Sequence, residues 1–198
     1  MRGRAGKIAR RVRRAVASVG LVVAVVVVVT PAIARGGGGD QLEYRVKAEF
    51  VERFTRFIEW PPTAFAGPDS PFVLCVIGRT PVANFLEALA QSRRIKDRRV
   101  ELRRLQPNAD LSGCHLVFIA SDERPWLKQI LSRAAGHPIV TVADSEGFGR
   151  AGVLINLVVD DQGRVRFEIS PAGAHQSALT LNAQLLRLSQ ASSTEDVP

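Results

Sequence analysis

Three short apolar runs do most to restrict how this chain can fold: "FVLCVIG" (72–78), "HLVFIA" (115–120) and "PIVTVAD" (138–144). Each is of strand length, and each is apolar at nearly every position instead of at alternate ones. Strands covered on both faces have this composition, and a sheet covered on both faces is mainly parallel. Parallel neighbours need long crossovers, and the segments between the runs have a helical period. "TPVANFLEALAQS" (80–92) opens with Thr80 as a cap and Pro81 at the first helical position, then repeats Val82, Phe85, Leu86 and Leu89. "SDERPWLKQILSRAAG" (121–136) starts with acids and carries Leu127, Ile130, Leu131 and Ala134 on one face. It closes on Gly136, with Pro138 two residues beyond.

The flanking segments complete the pattern. "EYRVKAEFVERFTRFIEW" (43–60) puts Val46, Phe50, Phe54, Phe57 and Ile58 on one helical face and Lys47, Glu52 and Arg56 opposite. Pro61 and Pro62 stop it, and a residue before proline is pushed towards extended backbone, so Trp60 should leave the helix and cap the sheet's rim. "RVELRRL" (99–105) alternates as a strand nearer an edge does. "GVLINLVVDDQGRVRFEI" (152–169) reads as two strands joined by a turn, a hairpin. A last helix opens at Ser170 and Pro171 and carries Ala174, Ala178, Leu181, Leu185 and Leu188. The expected fold is α/β: a single-domain sandwich with a mainly parallel central sheet, a C-terminal antiparallel hairpin and helices on both faces. The first four strands are expected in the order 2-1-3-4, with the hairpin added at one edge as antiparallel strands.

Charge looks at first like a nucleic-acid signal, because the chain is +8. Seven of its basic residues, and no acids, lie in "MRGRAGKIARRVRR", followed by the apolar run "LVVAVVVVVT" and then "PAIA". This is the layout of an export signal over residues 1–34, with cleavage after Ala34. Since residues 15–34 carry no charge, an uncleaved membrane anchor is the alternative. Either way the remainder lies outside the cytoplasm, in the periplasm if cleaved, with a net charge of only +1. A nucleic-acid partner is therefore not expected. One basic run stays, "RRIKDRRVELRR" (93–104): a solvated face, or a surface attracted to anionic headgroups or an acidic partner. Residues 35–42 should form a glycine-rich tether, 43–189 the domain, and 190–198 a disordered polar tail.

Catalytic chemistry is hard to find. "GFGRAG" (147–152) has the letters of a dinucleotide fingerprint, but the β-rich "VLINLVV" follows where a helix is required, so the glycines read as a turn. His115, His137 and His175 are scattered, without metal-ligand spacing, and no G-x-S-x-G elbow is present. No cofactor is implied. Asp144 stands where a parallel strand ends, the usual side for a ligand, and is a ligand candidate beside its reading as a turn carboxylate. Cys75 and Cys114 lie in or beside buried strands. In an oxidising compartment they should bond if those strands are neighbours; otherwise they are two packed thiols.

"KAEFVERFTRFIEWP" resembles the signature K-A-x-F-L-x-x-F-x-x-F-x-x-W-P that opens the YfiR family of exported bacterial proteins. Lys47, Ala48, Phe50, Phe54, Phe57, Trp60 and Pro61 fall on it, with Val51 in place of leucine. The resemblance continues through "LCVIG", "CHLVFIA", "VTVADSEGF" and "GRVRFEISPAGAHQSALTLNAQLLRLS". It departs at Ala151-Gly152, where a Gly-Gly pair is common, and at "LTLNAQLL" in the last helix. It departs also in "DSEGFGRAGVLIN", which lacks the second cysteine pair some members carry. The resemblance implies a periplasmic, non-enzymatic repressor that binds the periplasmic sensor region of a membrane-bound diguanylate cyclase and lowers cyclic di-GMP. Redox sensing here would fall to Cys75 and Cys114 alone. A contact surface is expected around the terminal hairpin and helix, with Glu168 and Trp60 as candidate partner-binding residues and Trp126 a further candidate. A homodimer is also open. The alternatives are a periplasmic small-molecule binder serving a transporter or histidine kinase through Asp144, and a hydrolase using His137 or Asp144.

Overall fold

The computed structural model describes residues 38–194. The expected export signal and cleavage site lie outside them. The first described element is helix α1 (Gly38–Phe54), followed by a 3-10 turn (Thr55–Phe57) and the two-residue strand β1 (Ile58–Glu59). Then come β2 (Phe72–Ile77), α2 (Val82–Ser92), β3 (Arg94–Ile95), β4 (Arg98–Leu105) and β5 (Leu116–Ile119). A 3-10 segment (Ser121–Trp126) leads into α3 (Leu127–Ala134), and β6 (Val140–Ala143), β7 (Ile155–Val159) and β8 (Val165–Ile169) follow. The chain then runs through α4 (Pro171–Gln176), β9 (Thr180–Leu181) and α5 (Ala183–Thr194).

The main sheet has the order β3-β4-β2-β5-β6-β7-β8. β4, β2, β5, β6 and β7 are parallel; β3 and β8 join antiparallel at the two edges. The expected order of the first four long strands therefore holds, and the fold is a mainly parallel α/β sandwich with helices on both faces. One element of the hairpin differs from expectation: β7 continues the parallel set, and only β8 turns back. β7 reaches this direction because residues 144–154 return along the sheet as a loop of turns, where the other crossovers use helices. "GFGRAG" lies in those turns. Asp160 holds the β7–β8 turn by accepting from the N–H groups of Gln162 and Arg164 and from Nε of Arg164 and Arg166.

Alternation along β2 separates two cores. Phe72, Leu74 and Val76 face α1, α2 and α5 together with Val51, Phe54, Leu86 and Leu185. Val73, Cys75 and Ile77 face α3, with Leu127, Ile130, Phe148 and Val153. Burying these chains on both sides removes nearly every β2 side chain from water, the condition that lets a continuous apolar run form a strand.

Four expectations are corrected. Lys47 and Glu52, assigned to a solvent face, are buried, because α1 is covered by the sheet on one side and by α2 on another. α1 stops at Phe54, ahead of the prolines, because Ile58 and Glu59 pair with Leu181 and Thr180. The single C-terminal helix is two helices separated by β9. Asn182 N donates to Phe57 O at 2.9 Å, and Asn182 Oδ1 accepts from Gln184 N at 2.8 Å, capping a new start. Finally, α1 already runs through residues 38–42 of the expected tether, and α5 continues to Thr194, into the expected tail.

Candidate functional site

At the end of β6, Asp144 Oδ2 accepts from Lys47 Nζ at 2.9 Å, and the same ammonium lies 2.6 Å from Glu43 Oε1. Lys47 reaches this point because α1 crosses the sheet there with its buried face inward. Burial works against the charge, but the hydrogen bonds and charges of Glu43 and Asp144 outweigh it, and the Lys47 pKa is raised. Asp144 is thus engaged by a buried cation that fastens α1 to the sheet. A ligand using this carboxylate would have to compete with Lys47.

The opposite face of the same strand row carries Asn156, which pairs in register with Ala143 and with Glu168. Asn156 Oδ1 accepts from Ser145 N at 3.3 Å, while Asn156 Nδ2 and Ser145 Oγ are buried without a partner in the chain. The Gly149 backbone passes beneath Glu168: a methyl group there would stand 3.1 Å from Glu168 Oε2 and 3.3 Å from Asn156 Cβ. Glu168 itself is exposed, on the wall of an open cleft of about 500 Å³ between Gly149–Arg150 and Ser170–Ala172.

Cys75 and Cys114 form a disulfide with a Cα–Cα distance of 6.0 Å, linking β2 to the chain just before β5. Both cysteines are buried, in the core on the α3 side. The two strands are neighbours, as the bonding alternative required.

Trp60 follows strand β1 and not the helix, as α1 has already ended at Phe54, and it turns inward. Its indole N–H donates to His115 O at 3.2 Å and its ring meets Phe72 edge-on at 5.1 Å, leaving it half-buried. The organiser of this corner is His115, for which the sequence offered no role. Its ring lies between Phe65 and Phe72, with centroids 4.5 and 5.1 Å away. Nδ1 accepts from Val73 N at 2.9 Å, so the neutral ring carries its proton on Nε2 and donates it to Ala64 O at 3.0 Å. Burial, reinforced by the Arg98 charge, lowers the His115 pKa. A histidine opening a buried strand was the one available signal, since its ring had to find two partners there.

These groups hold elements together. His137 is exposed in the α3–β6 turn, and Asp144 pairs with Lys47 and not with a histidine. Among the described residues, no cluster of three His, Cys, Asp or Glu could hold a metal. Five large apolar chains face solvent among the described residues: Leu42 on α1 at 63% exposure, Trp126 at 47%, Val159 at the end of β7, and Leu186 and Leu188 on α5. Among the described residues no helix is long and apolar enough to cross a membrane.

No curated protein matches the chain. The family model described as YfiR/HmsC-like matches residues 44–190, which takes in α1 from Tyr44 onward, every described strand, the disulfide and most of α5. With the helix-to-tryptophan corner and the terminal hairpin both inside that span, this chain belongs to the YfiR/HmsC-like family.

Proposed function

We propose that this protein is a periplasmic regulator that represses a membrane-bound diguanylate cyclase by binding its periplasmic sensor region, lowering cyclic di-GMP signalling. The observation that carries the reading is the family match across residues 44–190. It is supported by side chains engaged with one another in the interior, while apolar chains stand in solvent on the hairpin and the last helix. We assign the contact to that end of the molecule: Glu168 on β8, Val159 on β7, and Leu186 and Leu188 on α5. Trp60 contributes only the edge of its ring left uncovered by Phe72. Such a regulator acts through its different affinity for the receptor's inactive and active states, and by no more than that difference.

The test is co-purification with a membrane diguanylate cyclase from the native host, together with cyclic di-GMP levels on deletion. Deletion should raise cyclic di-GMP, and Leu186→Asp with Leu188→Asp should abolish co-purification while leaving thermal stability unchanged. Unchanged cyclic di-GMP on deletion, under both oxidising and reducing conditions, would rule the reading out.

A further inference from the structure

The basic run that remains after the leader is concentrated at one corner of the sheet. Residues 93–104 hold seven arginines and lysines and two acids. From Arg35 onward the chain has twenty basic residues and nineteen acids, so outside this run it is net acidic by four. Not all seven cations are free. Arg98 is used internally, donating to the carbonyls of Gly67, Pro68 and Ser70 and lying 4.0 Å over the Phe65 ring. Arg103 pairs with Glu101, and Arg104 with Glu87. Arg93, Arg94, Lys96 and Arg99 are exposed, and no carboxylate pairs with any of them among the described residues.

Two features of this corner work against folding. Arg94 lies directly opposite Arg99 across the β3–β4 ladder, a like-charge pair that a sheet ordinarily avoids. Arg94 Nε donates only to the Asp97 carbonyl. The turn between them places Lys96 and Asp97 at φ 51° and 60°, where glycine or asparagine is normally preferred. Ile95, almost fully buried, nevertheless pins the hairpin in place. A rigid, costly cluster of unpaired cations is what an external anion would stabilise.

We propose that the β3–β4 hairpin docks on the anionic phosphate surface of a lipid bilayer, through Arg93, Arg94, Lys96 and Arg99. A membrane is favoured over an acidic protein because the run itself carries no apolar anchor: none of the large exposed apolar chains falls within residues 93–104. Protein hot spots need such anchors, whereas a field of headgroup phosphates needs only charge on adaptable stems. This surface rests on the proposed function solely for its location, since it would hold the domain against the membrane that carries the receptor.

The chain from Arg35 onward contains every described strand, both cores and the disulfide, and is the form to test. It should co-sediment with vesicles containing about one-third phosphatidylglycerol in phosphatidylcholine but not with phosphatidylcholine alone, and release as salt rises. Removing each cation should weaken binding about fivefold. Arg99→Lys should bind as the parent does, whereas Arg99→Glu should bind far more weakly yet melt no lower, because it gives Arg94 an opposite charge. Three results would overturn the proposal: failure to bind anionic vesicles, equal binding to neutral ones, or loss of binding in Arg99→Lys. The last would mark a geometry-specific protein contact. None of them bears on cyclase binding, which is read separately by co-purification.

Discussion

At the level of single residues, the interior polar groups were the least legible part of the sequence. Helical spacing assigned Lys47 to solvent because it counts hydrophobicity, and only the position of Asp144 at the end of β6 reveals why a lysine is buried there. Replacing Lys47 by methionine leaves the largely buried Asp144 without its cation, and should lower the unfolding free energy by about 3 kcal/mol in denaturant titrations. His115 gives a pH signature. Its folded pKa lies below the unfolded value of 6.5, so below that pH the unfolded chain binds more protons. Stability should therefore be complete above pH 6.5 and fall as the pH drops towards the folded pKa. His115→Gln should flatten that part of the profile while lowering stability overall.

At the level of elements, continuous apolar runs and paired stop signals identified β2, β5, β6, α2 and α3, since burial and capping act locally. The C-terminal region was misread because Ala174, Ala178, Leu181, Leu185 and Leu188 have helical spacing on both sides of a break. The decisive partner of Leu181 is Ile58, more than a hundred residues earlier, and no local pattern carries that information. α4 itself is held by close approach. A methyl group on Gly173 would lie 2.7 Å from Gly152 O and 2.7 Å from Leu154 Cα, backbone atoms that cannot yield easily. Gly173→Ala should cost about 1–3 kcal/mol by calorimetry or denaturant melts, whereas the same change at Gly163, which has no atom within 4 Å, should be limited to its backbone strain.

At the level of the whole molecule, the order of the first four long strands was readable because crossovers are short and right-handed, which leaves few arrangements for alternating strands and helices. The direction of β7 was not, since a loop of turns can replace a helical crossover without any change in hydrophobic period. The Cys75–Cys114 bond spans 39 residues, including α2, β3 and β4. Replacing both cysteines by alanine should lower stability by up to about 4 kcal/mol on the chain-entropy account, as a shift of denaturant midpoint. Mass spectrometry of the exported protein would report both this bond and the mature N-terminus, expected at Arg35.

β3 covers only Arg98 and Arg99 of the eight-residue β4, so the outer backbone of β4 from Val100 onward has no partner strand among the described residues. An uncovered ladder of this kind invites a second molecule to add a strand, and the charged chains of Glu101, Arg103 and Arg104 are what deter it. Exchanging those three for threonine should convert a soluble preparation into one that polymerises edge to edge, visible as rising light scattering with concentration.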